Sequence, residues 1–285
     1  MKFDKEVIMG KVFLMAACAS VFLVMMICGF LFVKGLPTMA EIGVGNFLLG
    51  TKWKPGIDVY GILPMILGSV YVTAGALIIG VPIGILTAIF MACFCPEKIY
   101  GVLKPAVELL AGIPSVVYGF FGLVVLVPFV RDNLGGTGLS MLTASMLLGM
   151  MILPTIISVA EAALRAVPKS YYEGALALGA DHTRSVFSII VPAAKSGIFA
   201  SIVLGIGRAI GETMAVIMVA GNQARIPQGL LEGVRTMTAN IVIEMGYAAD
   251  LHRDALIATA VVLFIFIVII NVGFSYLKGR VVQGD

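Results

Sequence analysis

Gly205-Ile206-Gly207-Arg208-Ala209-Ile210-Gly211-Glu212-Thr213-Met214-Ala215 lies inside an otherwise apolar run, residues 196–224, whose only charges are Arg208 and Glu212. An ionisable side chain at membrane depth costs on the order of 2.5–3.5 kcal/mol by insertion scales. Two of them, four residues apart, fall on one face of a helix. Taken alone, the pair reads in two ways. It is either a polar site for an anion crossing a membrane or a structural ion pair bridging subunits.

The rest of the chain supports the membrane setting. Of 285 residues, 60% are hydrophobic and 12% charged, against about a quarter charged in ordinary soluble domains. Several apolar stretches reach the roughly 20 residues that span a bilayer as a helix. A closed barrel would instead show segments of about ten residues with alternating polarity. The expectation is an all-α polytopic membrane protein. The net charge of +3 carries no argument for nucleic acid. Cys18, Cys28, Cys93 and Cys95 form no disulfide framework, and Cys93-Phe94-Cys95 has no further thiol or His nearby in sequence. No Gly-x4-Gly-Lys-Ser/Thr phosphate loop, Ser-His-Asp arrangement or metal-ligand cluster occurs, so neither catalysis nor a cofactor or metal is expected. ATP-driven work would need an ATPase on another chain.

Six spans are expected, at 12–33, 63–91 (kinked or tilted around Pro82), 109–130, 139–160, 196–224 and 255–277. The first exceeds the apolar core of a secretory signal, about 7–15 residues, and reads as a retained span. Trp53 suits a membrane interface. Residues 98–104 read as a short polar loop, and 225–254 as a mixed loop with a partly amphipathic piece at 230–245. Six spans put both termini on one side. That side holds eleven Lys and Arg, the other seven. The bias places both termini in the cytoplasm. Gly80-x3-Gly84 and Gly207-x3-Gly211 both match the small-residue helix-packing pattern.

Residues 161–195 form the long polar loop before the fifth span. Pro168 suits the first turn of a helix, and Tyr172, Ala175, Leu176 and Gly179 share its face. Gly179 can end that helix in the left-handed conformation. Asp181 can cap the next, whose apolar positions include Val186, Ile189 and Ile190. By pattern alone this could equally be an interfacial amphipathic loop. The spacing of Glu173, Ala175, Gly179, Ile189 and Pro192, however, resembles the EAA loop of ABC importer permeases. Gly174 and Val191 depart mildly from that pattern. A second Glu-Ala-Ala at 161–163 lacks the downstream spacing and reads as a decoy.

The fifth-span motif narrows the resemblance. Arg208-Ala-Ile-Gly-Glu212-Thr213-Met-Ala, followed by Gly221-Asn222, is similar to phosphate importer permeases of the PstC type. So are Ile113-Pro114-Ser115 through Gly119, and Thr236 through Gly246. The resemblance implies a six-helix type I ABC importer permease (MetI-like) architecture in a prokaryotic cytoplasmic (inner) membrane. Residues 1–60 would add a span and outer loop, and 61–285 the transport core. It implies a sister permease, two ATP-binding subunits, an extracytoplasmic phosphate-binding protein and surrounding lipid as partners. The loop at about 161–195 would be the coupling helix that docks on the ATPase. Arg208, Glu212 and Thr213 would line the substrate path. Arg offers a planar fork of donors to two phosphate oxygens, and Glu212 can pair with it when the site is empty. A carboxylate can also accept a hydrogen bond from hydrogen phosphate but only repels sulfate. Other cargoes in the same importer class, an ion-coupled secondary transporter and a membrane sensor are the competing readings.

Overall fold

The computed structural model describes residues 5–283, with side chains for 8–274 and 276. The charges of the two ends, Lys2, Lys5, Lys278 and Arg280 among them, lie outside the described side chains. Five helical stretches are long and apolar enough to cross a membrane: Ile8–Ile42, Leu63–Phe94, Ser115–Leu134, Met141–Arg165 and Asp250–Phe274. A bent pair, His182–Ala193 and Lys195–Gly211, makes a sixth when counted as one span. The all-helical six-span expectation holds.

The first span is helix α1 (Lys5–Ile42), followed by α2 (Val44–Leu49) and a two-stranded hairpin of β1 (Trp53–Lys54) and β2 (Val59–Tyr60). Trp53 pairs with Tyr60 across it. This hairpin marks one end of the molecule. Helix α3 (Leu63–Ile89) runs away from it and ends in a wide π turn at Phe90–Phe94.

Two expected boundaries shift. The stretch taken as a polar loop is part of helix α4 (Glu97–Gly112). Its Tyr100, Leu103 and Val107 recur at helical spacing and pack with Met91 and Ile157. Lys98 and Lys104 at the two ends of 98–104 made the segment read as polar, although Ile99, Tyr100, Val102 and Leu103 lie between them. The third span consequently starts later, at α5 (Ser115–Phe121), and continues through a π turn to α6 (Val127–Leu134). Ile113 is extended, at ψ 126°. Pro114 disfavours a helical conformation at the residue before it and separates α4 from α5.

Helix α7 (Met141–Arg165) starts on Ser140, whose hydroxyl accepts from the Thr143 amide at 3.2 Å. α7 lies along α3 in a close seam. A Cβ at Gly80 would stand 2.8 Å from the Gly149 carbonyl, and one at Gly84 2.8 Å from Ile156. The 80/84 pattern thus marks a packing face. The 207/211 pattern does not, since nothing within the chain comes within 4 Å of a Cβ at either position. Around this seam sits the central core, including Ala76, Leu147, Met151, Ile152, Ala209 and Val216.

Three short helices follow: α8 (Lys169–Ala177), α9 (His182–Ser185) and α10 (Val191–Ala193). They lead into α11 (Lys195–Gly211) and α12 (Met214–Val219). Of the predicted amphipathic piece 230–245, only α13 (Met237–Met245) is helical, capped by the Thr236 hydroxyl. The preceding residues make a turn at 230–232 and then an isolated bridge from Val234 to Gly221. Finally α14 (Asp250–Gln283) packs on α1, where Gly35 abuts Ala258 and Val261.

Candidate functional site

The fifth span is broken within its own motif. Helix α11 stops at Gly211; Glu212 is extended at φ −69°, ψ 131°, and Thr213 sits at φ −124°, ψ −58°. The Glu212 carboxylate turns forward. Its Oε1 accepts from the Thr213 and Ala215 amides, each at 3.1 Å. These are among the amides that a helix start leaves without intrahelical partners, so Glu212 caps α12. Its backbone carbonyl accepts from the Thr238 hydroxyl at 3.1 Å, tying the break to α13. Thr213 donates its own hydroxyl to the Gly211 carbonyl at 3.2 Å.

Arg208, half-buried, points elsewhere. Its guanidinium donates from Nη1 to the Thr155 hydroxyl of α7 at 3.1 Å. Among the described residues no Arg208–Glu212 ion pair forms within 4.0 Å. The expected pairing assumed a continuous helix. The break removes the one-turn register, and capping satisfies one carboxylate oxygen locally. Arg208 is therefore bound to a neutral hydroxyl.

At the opposite end from the hairpin, the polar loop is built as its punctuation indicated. Pro168 precedes α8. Gly179, at φ +86°, ends it in a conformation that costs glycine little, with the Ala180 amide bonded to the Ala175 carbonyl at 3.1 Å. Asp181 Oδ1 accepts from the Arg184 amide at 2.7 Å and caps α9. Ala175 is buried and Glu173 exposed. Pro192 opens α10. Val186 and Ile190 are buried, whereas Ile189, expected to join them, is exposed. The π turn at Val186–Ile190 widens the helix there and turns Ile189 outward. Leu178 at the tip is 91% exposed, with Tyr171 and Leu176 also exposed. A cavity of about 460 Å³ behind α8 is lined by Cys93, Tyr172, Glu173 and His182 among others. The Tyr172 hydroxyl and His182 Nδ1 are 2.9 Å apart, and the His182 ring stands edge-on to Phe94 at 4.7 Å.

Two buried polar hubs were not foreseen. The decoy motif supplies one. Glu161, 2% exposed, accepts from Tyr100 (2.7 Å), Lys104 (2.7 Å) and Arg165 (2.6 Å). Arg165 also donates to the Met91 carbonyl at 2.9 Å. The hub locks α4 to α7, and its hydrogen bond holds the Lys104 ammonium above its ordinary pKa. The i,i+4 spacing of Glu161 and Arg165 was a usable signal; the α4 partners were not readable from their distance in sequence. The second hub lies at the hairpin end. Glu244 accepts from Arg235 (2.6 Å) and Trp53 (2.8 Å) and lies 2.8 Å from His252 Nε2. Trp53 is thus a buried donor. Burial and the Asp58 hydrogen bond push the neighbouring Tyr60 phenol up to about 12.

Residues 80–283 match the family described as binding-protein-dependent transport system inner membrane component. The probable ABC transporter permease protein YqgH of Bacillus subtilis is 41% identical, across 88% of this chain and 84% of that protein. The phosphate transport system permease proteins PstC of Mesorhizobium japonicum and Haemophilus influenzae are 35% and 36% identical. They align over 83% and 78% of this chain, and 79% and 76% of their own length. Among solved structures, a chain of the inward-facing methionine transporter MetNI superposes with a TM-score of 0.64 at 19% identity, across 81% of this chain and 99% of that one. A chain of a bacterial alginate transporter gives 0.65 at 14% identity, across 99% and 98%. These structures share the fold.

Proposed function

The chain belongs to the binding-protein-dependent transport system inner membrane component family, and on that premise we propose that it carries inorganic phosphate through a prokaryotic cytoplasmic membrane. Its partners in this reading are a sister permease, two ATP-binding subunits and an extracytoplasmic phosphate-binding protein. Both termini and the α8–α10 loop face the cytoplasm. Leu178 and its exposed neighbours give α8 an apolar tip suited to a cleft on an ATPase. Glu173, Ala175, Gly179, Ile189 and Pro192 shape that coupling element.

One observation carries the cargo assignment. Arg208 sits half-buried in a membrane span on a neutral hydroxyl partner, in a chain whose relatives include phosphate permeases. An oxyanion passing that point meets a fork of donors. Glu212 and Thr213, which form the break between α11 and α12, lie on the same path. Glu212 Oε1 is committed to the backbone, which leaves Oε2 to accept from hydrogen phosphate. Sulfate at neutral pH has no proton to offer.

Reconstituted vesicles test the proposal. Labelled phosphate should enter only with ATP on the ATPase side and phosphate-loaded binding protein on the other. Uptake driven by an ion gradient without ATPase would replace the class. Equal uptake of sulfate or molybdate would replace the cargo.

A further inference from the structure

Thr155 carries an inference that rests on the anion-path reading and extends it. In the membrane helices, several hydroxyls donate back to the carbonyl four residues earlier. Thr38 bonds Lys34 at 3.0 Å, Thr87 bonds Ile83 at 2.7 Å, Ser145 bonds Met141 at 2.9 Å and Thr259 bonds Ala255 at 2.9 Å. Thr155 makes no such bond. Its oxygen accepts from Arg208, and among the described residues its proton has no acceptor. The residue is half-buried, follows Pro154 within α7, and faces α11 across the packed interface of the two helices.

A hydroxyl in that state is a donor held at a fixed place beside a guanidinium. Arg208 supplies the charge and the remaining N–H groups; Thr155 orients one end of the fork and adds an O–H of its own. We propose that Thr155 is a ligand of the translocated anion, completing with Arg208 a donor set that spans α7 and α11. The set is neutral apart from the single guanidinium. It can hold an oxyanion in passage without the multiple charges that would trap it. It also makes the site depend on the relative placement of two helices, so a shift of α11 against α7 opens or closes the donor set.

The measurement is phosphate moved per ATP hydrolysed, in vesicles holding the full importer with saturating loaded binding protein. Thr155→Val should lower that ratio about tenfold, the size of one hydrogen bond to a charged group. ATPase stimulation by the binding protein and thermal stability should stay near wild type, and Thr155→Ser should restore the ratio. A Val variant transporting at the wild-type ratio overturns the inference. So does one losing ATPase stimulation and stability together with uptake, which would make Thr155 structural. The cargo reading is judged separately, on the wild-type importer. If that carries another oxyanion, the same variants are read against that ion.

Discussion

Arg208 and Glu212 show how a correct anomaly in a sequence can lead to a wrong contact. The two charges stand out in an apolar run, and that alone singles out the stretch; the helix break at Glu212 does not follow from it. Their expected ion pair does not form, because spacing implies a shared face only while the helix continues. Gly211 and the capping capacity of Glu212 itself end it there. The consequence is testable. Glu212→Gln keeps an oxygen for the α12 amides, so the break should persist and the protein should fold. It removes the negative charge that repels sulfate and weakens acceptance from hydrogen phosphate. Preference for phosphate over sulfate should fall about tenfold, again the size of one charge-assisted hydrogen bond. Competition uptake with both ions measures it, and an unchanged preference would remove Glu212 from the selection step. Glu161 makes the complementary point. Its Glu-Ala-Ala context has no coupling role by spacing, yet the side chain is a buried hub. Nothing in a motif reports which distant Lys or Tyr will reach it.

Among the helices, the two Gly-x3-Gly pairs have identical patterns and different fates. Gly80 and Gly84 lie in the α3–α7 seam, where backbone approaches backbone; Gly207 and Gly211 face space. The pattern records small residues on one helical face but not what that face meets. Gly80→Val would drive its side chain toward the Gly149 carbonyl and Ile152. Separating the seam should cost about 1–3 kcal/mol, as overpacking of a core does. Gly207→Ala should not destabilise the chain and should gain up to about 1 kcal/mol of helix propensity. Thermal unfolding of the purified chain in detergent compares them, and equal losses would refute the seam assignment. The same limit explains α4. Its apolar positions were visible, but Lys98 and Lys104 made its first half resemble a loop before the next span. The boundaries set by Gly179 and Asp181 were legible because each rests on a local backbone preference that no tertiary contact overrides here, whereas the span expected at 109–130 ran across the boundary at Pro114.

For the whole molecule, composition and hydropathy sufficed to give six helical spans, since the bilayer length requirement acts on every span alike. Orientation rests on a weaker signal, the modest excess of Lys and Arg on one side. The fold sharpens what orientation means. The α8–α10 loop leads directly into α11, and Arg208 lies thirteen residues beyond Lys195 in that helix, about 20 Å along its axis. A helix of that length links the α8–α10 loop, proposed above to meet an ATPase, with the candidate anion site, bent by 67° from the segment before it. Movement at α8 would therefore reach Arg208 and Thr155 as a displacement of α11 against α7. This requires the α8 tip to lie in the cytoplasm, which a labelling experiment decides. With Cys18, Cys28, Cys93 and Cys95 replaced, Leu178→Cys offers a single thiol at the most exposed point of the loop. A membrane-impermeant maleimide should label it in inside-out vesicles and not in intact cells, and bound ATPase should protect it. A cysteine at Ile57, exposed in the hairpin turn, should show the reverse sidedness. Labelling of Leu178→Cys from outside would invert the molecule and separate α8 from ATP.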